Sequence, residues 1–139
     1  VSGVKSSLPS TTITSVTNFS LSASIFTAGG LEPGVAEVTL ISMIETLFER
    51  LPKKIWSNSS YKWLDPSAGI GNFPLVLFFY LMDGLKDKIR NDIKRAKHII
   101  EKMLYMIEFT AESMNICKEL FKILNASAHP NMIQADFVV

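Results

Sequence analysis

Apolar residues recur every three or four positions between Glu37 and Leu51, at Val38, Ile41, Ile44, Leu47, Phe48 and Leu51. That spacing lays a single apolar stripe along a helix, which predicts an amphipathic helix packing on a sheet and stopped by Pro52. The pattern then changes. Trp56 and Trp63 bracket the polar turn of residues 57–60, and a short strand is expected at residues 61–65. Residues 73–86 are dense in Phe, Leu and Val and read as a crossover helix, with Pro74 in the first turn, where its missing N–H costs nothing. A second helix, over residues 88–102, lengthens the crossover. Residues 103–109 are apolar up to Glu108, as expected of a buried parallel strand with a carboxylate at its tip. Residues 111–124 return to helical spacing, with Met114, Ile116, Cys117, Leu120, Phe121 and Leu124 turned to the sheet. Residues 131–137 read as a third short strand closing on Asp136. Residues 1–30 are Ser/Thr-rich with little periodicity, so a poorly ordered arm is expected there and a folded domain over 31–139. Alternating strands and helices predict an α/β fold with about three parallel strands.

The junction between the first strand and its helix carries the chemistry: Trp63-Leu64-Asp65-Pro66-Ser67-Ala68-Gly69-Ile70-Gly71-Asn72-Phe73. An apolar strand ends on an acid, a tight glycine loop follows, and a helix begins. Such a loop offers backbone N–H groups and a helix N-terminus at the carboxyl end of a strand, where open α/β sheets bind ligands. A Walker A loop would need Gly-Lys-Ser/Thr, yet Gly71 precedes Asn72-Phe73. A dinucleotide loop needs a small residue three positions after Gly71, and Pro74 stands there. Glu108, at the end of the second strand, is placed to accept hydrogen bonds from the two ribose hydroxyls of a nucleoside. Three acids end three successive strands: Asp65, Glu108 and Asp136.

Asp-Pro-Ser-Ala-Gly-Ile-Gly-Asn-Phe resembles motif I of the amino-group DNA methyltransferases, Asp-Pro-x-x-Gly-x-Gly-x-Phe. Residues from about 50 onward resemble the cofactor part of an S-adenosylmethionine-dependent adenine-N6 DNA methyltransferase. The likeness is to modification-methylase-like proteins of restriction systems and large DNA viruses, and it extends through residues 95–101, 103–108 and 115–118. It implies a Rossmann-like class I methyltransferase fold, present in part. It also implies that Asp65, Pro66, Ser67, Ala68, Gly69, Gly71 and Phe73 surround the methionine end of the cofactor. Glu108, with Phe109 beside it, would take the ribose, and Asp136 with Phe137 the adenine. None of these residues is an expected catalytic acid or base.

Two departures from the family pattern stand out. The family's Phe-Thr-Pro, which helps hold the methionine end, is matched only by Phe26-Thr27, followed by Ala28. The family's catalytic Asn/Asp-Pro-Pro-Tyr/Phe loop has no counterpart, since the chain contains no Pro-Pro dipeptide. The chain is therefore expected to be one part of a longer protein whose further strands complete the site, and to bind cofactor at most. A methyl acceptor other than DNA, such as RNA or protein, and a non-catalytic nucleoside-binding or scaffold subunit are the alternatives.

Composition changes this picture little. A net charge of +1 does not mark a nucleic-acid face. The basic run 86–98 reads as a solvated helix face rather than a phosphate-binding one. Neither His98 nor His129 has Asp or Cys at ligand spacing, so no metal site is expected. Cys117 is the single cysteine, which suits a reducing, cytoplasmic setting and a small buried core residue. The apolar run 73–82 is far below the roughly 20 residues a membrane span requires.

Overall fold

The computed structural model describes residues 33–136, with side chains from residue 40 onward. The Ser/Thr-rich segment 1–30, including Phe26 and Thr27, lies outside the described residues, as does Phe137. The chain divides into two units, Val1–Pro52 and Lys53–Val139.

In the first unit, helix α1 spans Pro33–Glu49. It begins before the expected residue 37 because Pro33 fits a first helical turn, its fixed φ suiting the helix. Ile41, Ile44 and Phe48 are buried, whereas Leu47 and Met43 are 56% and 61% exposed. The expected single stripe is thus split: Leu47 stands one helical step away from the buried row.

The second unit is built on three parallel strands: β1 (Trp63–Asp65), β2 (Leu104–Glu108) and β3 (Asn131–Gln134), in the order β1-β2-β3. Helix α2 (Asn72–Gly84) and helix α3 (Asp92–His98) lead from β1 to β2, and α4 (Ala111–Leu124) leads from β2 to β3. This is a partial Rossmann-like α/β fold. The burial of β2 alternates. Leu104 and Met106 are buried beneath the helices, while Tyr105 and Ile107 face the other way and are half-buried. A strand's side chains point to opposite faces in turn, so this alternation identifies the helix-covered face. On the opposite face Leu64 pairs in register with Tyr105, and Ile107 with Ile133, along a shallow groove of about 650 Å³.

The core lies between the sheet and the helices, where Leu81, Leu85, Ile99, Ile100, Met103 and Phe121 are wholly buried. Helix α2 buries five consecutive residues, Pro74 to Phe78. A helix apolar on all sides is an interior one, which explains its lack of a polar face. Before β1 a short 3-10 turn, Lys53–Ser57, delivers Trp56 onto Trp63, with ring centroids 5.3 Å apart and planes within 5°.

The crossover departs from the expected continuous helix over 88–102. Helix α3 starts only at Asp92, capped by the Asn91 side chain, which accepts from the Lys94 N–H at 2.9 Å. It then widens into a π-helical segment, Ile99–Met103, that runs straight into β2. Arg95 is the physical reason for the late start. Its guanidinium is turned inward, 5% exposed, and donates to the carbonyls of Ile89 at 2.7 Å and Arg90 at 3.4 Å. Those carbonyls belong to the turn before the helix, so Arg95 holds that turn from within. Its partner Asp92, at 2.6 Å, has a largely exposed side chain. Water screens that ion pair, so the carbonyl bonds carry the larger share. Arg95→Ala is expected to lower stability by about 1–3 kcal/mol, and Asp92→Ala by under about 1 kcal/mol. Urea denaturation of the two variants checks the order.

Asn131, the first residue of β3, fastens the sheet to this crossover. Its side-chain amide reaches the carbonyls of Ile100 (3.3 Å), Glu101 (2.9 Å) and Leu104 (3.0 Å). These carbonyls lie in and just after the π-helical segment, where the ordinary helical ladder is interrupted.

Candidate functional site

The three strand ends carry the loops named from the sequence, and the structure brings two of them into direct contact. At the end of β1 the Asp65 carboxylate accepts from the Ser67 N–H at 3.0 Å, making the tight turn that Asp favours. The next amide, Ala68 N–H, donates to Ile107 of β2 at 2.9 Å, so the loop stays attached to the sheet. Ala68 is buried, while Pro66 and Ser67 are exposed. Gly69 and Gly71 both have positive φ, +56° and +101°, which explains why glycine stands at each. A Cβ on Gly69 would meet nothing within 4 Å, so the loop's outer surface is bare backbone there. At Gly71 it would lie 2.8 Å from Cys117 Sγ and 3.3 Å from Leu120 Cδ2, so this glycine sits directly on α4. Gly71 also caps α2 without any side-chain hydrogen bond. Phe73, in the first turn of α2, is 37% exposed.

Glu108 is the centre of the arrangement. One carboxylate oxygen accepts from Gly69 N–H at 2.7 Å. The other accepts from Thr110 N–H at 2.9 Å and from the Thr110 hydroxyl at 3.2 Å. Its backbone carbonyl accepts from Ala135 N–H at 3.0 Å, continuing the sheet beyond β3 to the residue before Asp136. Asp136 is exposed at that end. Phe109 is 66% exposed next to Glu108, and its carbonyl accepts from the Gln134 side chain at 3.4 Å. The strand β3 ends at Gln134 rather than closing on Asp136 as expected, leaving Asp136 two residues beyond it.

The electrostatics divide the two inner acids. Thr110's N–H, and then Gly69's N–H and the Thr110 hydroxyl, hold the Glu108 carboxyl below its ordinary range despite partial burial. Asp65 is pushed up, chiefly by burial and further by the charge of Glu108, against the lowering effect of the Ser67 N–H. Beneath the loop, burial pushes the Cys117 thiol up to about 12, with Asp65 and Glu108 adding to the effect. It is 1% exposed, as a small core residue should be.

These shifts have opposite consequences for stability. Glu108 contributes stabilisation that is present above its unfolded value and lost as pH falls through its depressed folded value. Asp65 contributes the reverse: stabilisation present at acid pH and lost as pH rises through its raised folded value. Glu108→Gln is therefore expected to flatten the acid side of the stability profile, and Asp65→Asn to steepen it. Urea midpoints taken between about pH 3 and pH 6 read both.

Thr110 was not among the residues singled out from sequence. Its signal was present, since a Thr immediately before a helical run is a typical N-cap. It does cap α4, accepting from Ser113 N–H at 3.3 Å, but its bonds to Glu108 depend on the loop's path. His98, within the basic run, lies 3.0 Å from the Ser59 carbonyl. Of that run, Arg95 is inside and Lys86 pairs with Asp83 at 2.8 Å. Lys88, Arg90, Lys94 and Lys97 are exposed. Among the described residues no three of His, Cys, Asp and Glu come together as a metal group, and no helix is long and apolar enough to cross a membrane.

The glycine loop and the acids Asp65 and Glu108 gather at the carboxyl end of an open parallel sheet, the end at which α/β sheets of this kind generally take ligands. Over 86 residues the chain is 33% identical to a Mycoplasma pneumoniae protein described as an uncharacterized adenine-specific methylase. The match takes in 61% of this chain and 20% of that protein, so the chain spans about a fifth of its relative's length. No family model matches the chain.

Proposed function

We propose that this chain is the cofactor-binding part of an S-adenosylmethionine-dependent methyltransferase that modifies adenine N6 in DNA. The observation that carries the reading is the contact of Glu108 with Gly69, which joins the motif I loop to the acid of the second strand. The similarity to an adenine-specific methylase supports it independently. The residues present fit a nucleoside that bears an amino acid. Backbone with open space beside it stands at Gly69, an ionised carboxylate lies next to it, and Asp136 is exposed two residues beyond the third strand.

When bound, S-adenosylmethionine supplies a methyl group made electrophilic by its sulfonium. The chain's own residues then bind and orient. Gly69 admits the methionine end to the loop backbone, Gly71 seats the loop on α4, and Asp65 fixes the turn beside it. Glu108 accepts from a ribose hydroxyl through the acceptor position that its bonds to Gly69 and Thr110 leave open, with Phe109 alongside, and Asp136, followed by Phe137, accepts from the adenine amino group. Methyl transfer itself requires an aligned in-line attack by an amino group. An adenine paired within a duplex has to be flipped out before it is reached. Those tasks fall to parts of the longer protein.

Calorimetric titration of S-adenosylmethionine into the chain, beside Glu108→Ala, tests the reading. Saturable binding is expected, weakened by about 1–3 kcal/mol in the variant, the scale of lost hydrogen bonds to a charged group. A folded chain that binds no S-adenosylmethionine overturns it.

A further inference from the structure

Glu108 has more internal partners than an acid reserved for a ligand needs. An ionised carboxylate has about four acceptor positions. Three of them are filled here, by Gly69 N–H, Thr110 N–H and the Thr110 hydroxyl. The bond to Gly69 is the shortest of the three, and it is the one that leaves the residue's own loop: it spans 39 positions of sequence. The neighbouring Ala68 N–H is already held by the Ile107 carbonyl at 2.9 Å. The glycine loop is therefore fixed to the second strand at two consecutive amides, one through backbone and one through the Glu108 side chain. Gly69 has no side chain to hold it in place, and nothing lies within 4 Å of where its Cβ would be. The carboxylate is what anchors it.

We propose that Glu108 is a positioning residue for the glycine loop as well as a ribose acceptor, and that Thr110 sets its carboxylate for both tasks. The inference rests on the S-adenosylmethionine reading for the ribose half alone. Its consequence is joint recognition. One side chain joins the surface that takes the amino-acid end of a ligand to the group that takes its ribose. A ligand lacking the ribose hydroxyls still depends on Glu108, because the loop it must meet is held by that carboxylate. An acid used only for ribose would be irrelevant to such a ligand.

Two substitutions separate the roles. Glu108→Ala removes both. Glu108→Gln keeps one carbonyl oxygen able to accept from Gly69 N–H, but replaces the second acceptor with a donor and loses the charge.

The test measures binding of S-adenosylhomocysteine and of its 2′,3′-dideoxy analogue to the full chain and both variants. Beside it, amide hydrogen exchange is followed across residues 67–71 without ligand. Glu108→Ala is expected to weaken both compounds by about tenfold or more, and to speed exchange at Gly69. Glu108→Gln is expected to weaken the hydroxylated compound by a similar factor, to leave the dideoxy analogue within about threefold of the parent chain, and to preserve slow exchange at Gly69. Equal binding of the dideoxy analogue by the parent chain and Glu108→Ala overturns the positioning role. So does unchanged Gly69 exchange in Glu108→Ala. A folded parent chain that binds neither compound overturns the S-adenosylmethionine reading and joint recognition with it. The exchange result then decides by itself whether Glu108 holds the loop.

Discussion

Gly71→Ala is expected to destabilise the Lys53–Val139 unit by about 2–5 kcal/mol, combining left-handed strain of about 1–2 with overpacking of about 1–3. Both contributions are visible at this residue. Its φ of +101° is a conformation L side chains rarely adopt, and the added carbon would lie 2.8 Å from Cys117 Sγ and 3.3 Å from Leu120 Cδ2. Neither neighbour can easily retreat, since Cys117 is 1% and Leu120 3% exposed. Gly69→Ala is the internal comparison. It has a positive φ of +56° but open space around the new carbon, so only the strain applies, about 1–2 kcal/mol. Denaturant unfolding of the pair separates crowding from strain. Equal losses for the two would show that the contact of Gly71 with α4 is not tight.

Phe121→Ala should cost about 3–5 kcal/mol, the usual range for truncating a buried aromatic residue. Phe121 is wholly buried on α4 and meets the edge of Phe78 on α2, with ring centroids 6.3 Å apart and planes at 83°. It therefore joins the two crossover helices over the sheet. Removing the ring leaves a cavity between them and forfeits the edge-to-face contact. Ile123→Ala, two residues along the same helix, is expected to stay within about 0.5 kcal/mol, since an exposed surface position has little to lose. Ile123 is 58% exposed. The contrast tests the orientation of α4 as well as the size of the effect, by urea or thermal unfolding of each variant.

Elements with local signals were legible in the sequence. Helix α4 has the bounds expected of it, Ala111–Leu124, because its start has Thr110 as cap and its apolar spacing is regular. The glycine loop is placed where its punctuation put it, between a strand ending at Asp65 and a helix beginning at Asn72. The crossover was legible as two helices, but not in the late start of the second or its π-helical end. An inward Arg95 breaks the rule that charged residues face water, so the turn it holds looked like more helix. The π-helical widening at Ile99–Met103 is accompanied by side-chain bonds from Asn131, some 30 residues away, which no local pattern contains. In the candidate site, the acids could be named because strand ends are readable. That Glu108 grips Gly69 could not, because a carboxylate at a strand tip has no sequence mark for the partner it will find.

Asn131 gives the chain a position where the gentlest change is the harshest. Its amide group points donors at three carbonyl oxygens. Alanine would merely leave them without that donor. Aspartate, nearly identical in shape, would aim a negative acceptor at the same three oxygens, replacing attraction with repulsion. Deamidation of this residue, to aspartate or isoaspartate, would remove the same donor and loosen the sheet from its crossover with no mutation at all. In a survey of tolerated substitutions, Asn131 would behave as part of the interior despite standing at the mouth of a loop.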